Sequence, residues 1–195
     1  MGVMSKAPST RNLTRSGRKD AGGLSRTERV QRLMTEGTDL LAARRAAEAS
    51  VLLLKAWELD PENVDAAINL GGAYILQGRH RQAVPVLEKA CELAPDNPMV
   101  WINLAAAHLG KLPFATRPMQ DAAISAFEKA LALDGRAPHV NYNLGLIYLD
   151  RNELEQAALH FYRALENDPN DRDAASWLEK LRRGAGGSET PPATD

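Results

Sequence analysis

Few side chains in this 195-residue chain are of types that do chemistry, and their spacing decides what they can do. His80, His108, His139 and His160 contain no pair one helical turn apart, the arrangement from which a histidine metal site is built. Cys91 is the single cysteine, which excludes an intramolecular disulfide and a cysteine-rich metal centre. Its apolar neighbours read as core around an inert thiol rather than a nucleophile. There is no phosphate-cradling glycine loop, nucleophile elbow or dinucleotide fingerprint, so neither catalysis nor a cofactor or metal is expected. Asn69, Asn103 and Asn143 are different. Each precedes a leucine in a similar local string ("INLGGAY", "INLAAAH", "YNLGLIY"), and each amide carries both a donor and an acceptor, a match for peptide backbone. The chemistry on offer is recognition.

A row of this kind needs an element that returns the same residue to the same place. Aligning Gly37, Gly71 and Gly145 brings Leu40, Tyr74 and Tyr148 into register, followed by Ala49, Ala83 and Ala157, then Leu53, Leu87 and Phe161, then Ala56, Ala90 and Ala164, then Pro61, Pro95 and Pro169. The period is 34 residues, and a longer unit at 98–137 carries about six surplus residues around "GKLPFATRPMQ". Apolar residues recur at spacings of three and four throughout, with no alternating stretch to make a strand, so the chain reads as all-α. Ser25 and Glu28 form a capping-box pattern at the first helix, and Asn63, Asn97 and Asp171 stand after the repeated prolines as caps for the next helix. Small residues (Gly71, Gly145, Ala83, Ala90, Ala157, Ala164) let paired helices approach closely, while Leu70, Tyr74 and Leu87 fill the space between pairs. One such hairpin leaves an apolar face wet, so stacking is obligatory.

The pattern of Trp101, Leu70, Gly71, Tyr74, Ala83, Phe161, Ala164 and Pro169 resembles the tetratricopeptide repeat over residues 30–171. The resemblance implies a right-handed α-solenoid of four helix hairpins (30–63, 64–97, 98–137 with the insertion, 138–171), closed by a capping helix at 172–183 in which Trp177, Leu178 and Leu181 cover the last hairpin and Gly184 ends the helix. Three places depart from the pattern: Glu36 stands where the other units have leucine, and Ala105 and Gly135 replace the expected Gly and Pro. The third unit is therefore expected to stack with altered curvature. Pro85 falls early in a second helix and is expected to use one of the free first-turn positions.

In this family the first helices of the hairpins line a concave face where partners bind. Here that face is assigned Asn69, Asn103 and Asn143 for backbone contacts and Ile68, Ile102, Tyr142, Gly72, Ala106 and Leu146 for side-chain contacts, with Ile75, Leu109 and Leu149 beside them. Part of this set serves equally well as inter-hairpin core. An apolar or amphipathic segment of a protein or peptide partner fits such a groove. The basic clamp by which some members hold a chaperone's terminal carboxylate is missing, since Met34, Met99, Ile68, Ile102 and His139 occupy its places. The insertion offers a second contact surface in Lys111, Phe114 and Arg117, with Phe114 either exposed or folded back to plug a gap.

Residues 1–24 are basic (Lys6, Arg11, Arg15, Arg18, Lys19) and poor in groups that can be buried, and 184–195 are rich in Gly and Pro, so both ends are expected to be disordered. The start overlaps transit-peptide composition but offers no apolar face. A net charge of −1 gives no global reason to expect nucleic acid, and no apolar run is long enough to span a bilayer. A reducing, cytoplasmic setting is the expectation. The function expected is a non-catalytic adaptor, with self-assembly into a homo-oligomeric scaffold and tethering of an acidic partner through the basic arm as alternatives.

Overall fold

Helices start where a side chain takes over otherwise free amides. The computed structural model describes residues 23–186. In it Ser25 accepts from Glu28 N while Glu28 accepts from Ser25 N (2.7 Å), which opens α1 (Arg26–Ala42). Asn63 accepts from Ala66 N (2.9 Å) at the start of α3 (Val64–Leu76), Asn97 from Met99 N (2.9 Å) at α5 (Pro98–Leu109), and Asp171 from Ala174 N (2.9 Å) at α9 (Arg172–Gly186). The second helices of the hairpins are α2 (Ala46–Leu59), α4 (His80–Leu93), α6 (Arg117–Leu133) and α8 (Leu154–Asn167), and α7 (Val140–Asp150) is the first helix of the last hairpin. Among the described residues there is no strand.

Each helix packs on the next in sequence, and first helices also meet first helices: α1 touches α3 and α3 touches α5. The fold is an all-α solenoid. Within hairpins the close approach has a clear cause. A Cβ on Gly37 would lie 2.7 Å from Leu53 Cγ, one on Gly71 2.5 Å from Leu87 Cγ, and one on Gly145 2.7 Å from Phe161 Cε1. The aligned glycine therefore seats the aligned large residue of the partner helix, and Leu53, Leu87 and Phe161 are all completely buried. The turns repeat as well: Arg44 (φ 59°), Gly78 (φ 70°) and Asn152 (φ 60°) occupy the same left-handed position, which only Gly takes without a steric cost.

The core is serial. Trp101 packs against the cluster that holds Leu87 and also against the one that holds Phe127, and Tyr148 links the latter to the cluster around Phe161. Trp177 on α9 stacks on Phe161 with centroids 6.2 Å apart, and Leu178 and Leu181 pack beside it.

Several sequence expectations need correcting. Gly184 does not end α9, which continues helically through Gly186, where the described residues stop. Of the arm and tail taken as disordered, 1–22 and 187–195 lie outside the described residues. Pro85 is the sixth residue of α4, past the free amides, so the helix simply forgoes one hydrogen bond at an exposed position. The insertion is not all loop: three of its residues, Arg117–Met119, add a turn to the start of α6, and Leu112–Phe114 form a short 3-10 turn, η1. Phe114 is 81% exposed, and it is Leu112 that packs into the core.

Candidate functional site

The face formed by the first helices carries the asparagine row, because residues one before the core leucines Leu70, Leu104 and Leu144 stand at the core's margin. All three asparagines are half-buried. Their hydrogen bonding differs. Asn103 Nδ2 donates to Met99 O (2.9 Å) and Asn143 Nδ2 to His139 O (3.0 Å), each closing on its own preceding helical turn. Their oxygens stay available as acceptors, but bidentate contact with a backbone would require those internal bonds to break. Asn69 has no side-chain hydrogen bond among the described residues. In the first hairpin, Thr35 and Thr38 likewise bond back, to Gln31 O and Met34 O at 3.0 Å. Asn69 is thus the one amide in the row with donor and acceptor both uncommitted.

Around it the face is small and apolar. A Cβ on Gly72 would meet nothing within 4 Å, so the backbone beside Asn69 is open to approach. Ile68, Ile102, Tyr142 and Leu146 are only partly buried but also pack against the core clusters, and Tyr142 leans on Phe161 with centroids 5.8 Å apart. Ala106 is half-buried, while Leu109 is 8% exposed and belongs to the core. The row continues past Tyr142 into a cleft of about 410 Å³ bounded by Arg136, His139, Asn141, Asp168 and Asp171.

The insertion is held rigidly at the other edge. Arg151, whose side chain is 6% exposed, donates through Nε to Gln120 Oε1 (2.7 Å) and through Nη2 to Asp121 Oδ1 and Arg117 O. Gln120 in turn donates to Asp150 Oδ2 (2.7 Å) and Ala115 O (3.3 Å), and Arg117 pairs with Glu153 (2.9 Å). This clasp was not legible from the sequence, since its members lie some thirty residues apart and recur in no other unit. The added turn of α6 did leave a signal: Thr116 followed by Pro118 is a helix-start pattern. Of the three insertion residues singled out, Phe114 projects outward, Arg117 is committed to Glu153 and Lys111 is exposed.

The groups considered for catalysis sit apart. Burial pushes the Cys91 thiol up to about 11, so it stays protonated at neutral pH. His160 is 8% exposed, stacks on Tyr148 (5.3 Å) and places Nδ1 3.1 Å from Asn141 Oδ1. Burial and then the nearby Arg163 charge lower its pKa to about 4, which keeps the ring neutral. His80 packs against Gly110 between adjacent hairpins. Among the described residues no three His, Cys, Asp or Glu side chains converge as metal ligands, and no helix is long and apolar enough to cross a membrane.

Helix hairpins stacked in series, with α1 on α3 and α3 on α5, define a helical-repeat scaffold. The chain belongs to the tetratricopeptide repeat family: two family models, both described as tetratricopeptide repeat, match residues 40–101 and 121–172. Its repeats make it a protein-interaction scaffold. Solved structures agree in fold. A MamA protein is 23% identical with a TM-score of 0.69, covering 82% of this chain and 84% of its own. The pilF protein of Pseudomonas aeruginosa is 22% identical with a TM-score of 0.70, covering 83% and 71%. A thermophilic TPR protein of Thermus thermophilus is 20% identical with a TM-score of 0.66, covering 80% and 83%. No curated protein matches the chain.

Proposed function

We propose that the protein is a non-catalytic adaptor that holds a segment of a partner protein against the face of α3, α5 and α7, which is the concave face in its family. The observation that carries this reading is the recurrence of Asn69, Asn103 and Asn143 at one position of three successive hairpins, with Asn69 uncommitted beside the open backbone of Gly72. Asn69 anchors the segment's backbone through donor and acceptor, while the oxygens of Asn103 and Asn143 accept further amide hydrogens. Ile68, Ile102, Tyr142, Ala106 and Leu146 line the path with apolar surface, so the segment is apolar along the side that faces them. Protein capture from native lysate tests this. The intact chain is compared with the Asn69→Ala, Asn103→Ala, Asn143→Ala triple variant, after circular dichroism shows both to be equally helical. Proteins retained by the intact chain and lost from the variant are groove ligands. Identical captures would make the row a structural feature and end the proposal.

A further inference from the structure

The turns inside the hairpins lie side by side along one edge of the solenoid. Gln77 Nε2 donates to Ala46 O (3.0 Å) between the first two turns, Gly110 sits against the His80 ring between the second and third, and Arg117 joins Glu153 (2.9 Å) between the third and fourth. The two most exposed large hydrophobic side chains among the described residues are both on this edge: Phe114 at 81% in η1, and Leu76 at 69%, the last residue of α3. Isolated exposed leucines are ordinary. Two such residues lie on one edge, on the second and third turns, one of them presented on a clasped insertion, and they are the apolar anchors this edge offers.

Charge on the first three turns of this edge is one-sided. Its acids are largely neutralised within the chain: Glu48 pairs with Arg45 (2.6 Å), Glu153 with Arg117, and Asp121 with Arg151. Arg44, Arg81 and Lys111 are exposed with no ion-pair partner among the described residues, and Arg79 lies over the Tyr74 ring at 4.9 Å; on the first three turns Asp39 is the acid left to oppose them, while Asp150 and Glu155 lie on the fourth. The opposite edge, where hairpins join, has the reverse sign, with Asp60, Glu62, Asp96, Asp134 and Asp168 along it. A basic segment would be repelled from the turn edge and an acidic one drawn to it.

We propose that the turn edge of the first three hairpins is a second docking surface, which takes an acidic amphipathic helix of a partner protein. Its apolar side packs on Leu76 and Phe114, and its carboxylates meet Arg79, Arg81 and Lys111. This surface is separate from the groove and does not depend on the asparagine row. Because its charges are exposed, binding weakens as salt rises.

The probe is a synthetic helical peptide with leucines at spacings of three and four and glutamates elsewhere, set against a counterpart with lysines for glutamates. Binding of each to the full chain is read by fluorescence anisotropy. The glutamate peptide should bind at least about tenfold more tightly than the lysine peptide. Leu76→Ala with Phe114→Ala should weaken it about tenfold, Arg81→Glu with Lys111→Glu should remove it, and Asn69→Ala should leave it unchanged. Equal binding of the two peptides, no binding of the glutamate peptide, or loss of binding in Asn69→Ala rather than in the edge variants would overturn the proposal. So would displacement of the peptide by a single-stranded oligonucleotide, which would assign the edge to phosphates.

Discussion

The first two hairpins and the last two are built on the same skeleton and held together differently. In the front half, Gly37 and Gly71 seat Leu53 and Leu87, α1 meets α3, α3 meets α5, and Ser50 is the only buried polar residue among those described. In the back half, η1 intervenes beside α7, and the α6–α7 seam is sparser than the α2–α3 and α4–α5 seams. There the buried residues include Gln120, Asn141 and His160, and the turns are joined through Arg151. An apolar seam tolerates changes of pH and salt but not of volume, whereas a hydrogen-bonded seam tolerates neither loss of a partner nor a change of charge. A repeat array can therefore accept an insertion where a polar clasp takes over from close packing.

The comparison can be broken most sharply at Gly71. Gly71→Val drives side-chain carbons into Leu87 and should cost about 3 kcal/mol. Its neighbour is the control: Gly72→Ala enters open space and should stabilise by up to about 1 kcal/mol. Urea denaturation followed by circular dichroism reads both. In the back half, Arg151→Ala leaves Gln120 and Asp121 without their cation and should cost about 2 kcal/mol. Proteolysis at the 110–116 loop should speed up in that variant and not in Gly72→Ala.

Acid should act on the back half first. Folded His160 binds its proton only near pH 4, whereas the unfolded ring takes it up near the ordinary value of 6.5. Between those limits the unfolded state binds more protons, so stability present above pH 6.5 is lost progressively as pH falls toward 4, by on the order of 2 kcal/mol. Hydrogen exchange at pH 7 and pH 5 should show α7 and α8 losing protection while α1 to α4 keep theirs. His160→Gln should flatten the difference. The smallest expected effects are at the turns: Arg44→Gly should stabilise by about 1 kcal/mol and Gly78→Ala destabilise by a similar amount, because both sit at positive φ. Thermal melts of the two variants read the pair with opposite signs.

What repeats was legible in the sequence, and what occurs once was not. Gly71 and Gly145 stood out as close-approach positions because they recur, and the caps Asn63, Asn97 and Asp171 because each follows a proline at the same offset. That Leu87 and Phe161 seat on those glycines inside a hairpin, where the sequence placed Leu87 between hairpins, needed the structure. Placing the asparagine row needed only the leucine beside it. That Asn103 and Asn143 turn back on their own helices while Asn69 does not is a matter of rotamer, which periodicity does not encode. The Arg151 clasp and the His160–Asn141 pair are single, long-range events between polar residues, so the sequence held no second copy against which to notice them. Which of the two readings held for Phe114, and that Leu112 is the insertion residue packed on the core, turned on the path of one loop.

The central claim is that the uncommitted amide of Asn69 grips a partner's backbone. Its most direct test is calorimetric titration of the shortest captured segment into the intact chain and into Asn69→Ala, with Asn103→Ala in parallel. The account predicts affinity about tenfold weaker for Asn69→Ala, a smaller loss for Asn103→Ala, and unchanged helicity in both. Equal affinities for all three proteins would contradict it and assign the row to the fold.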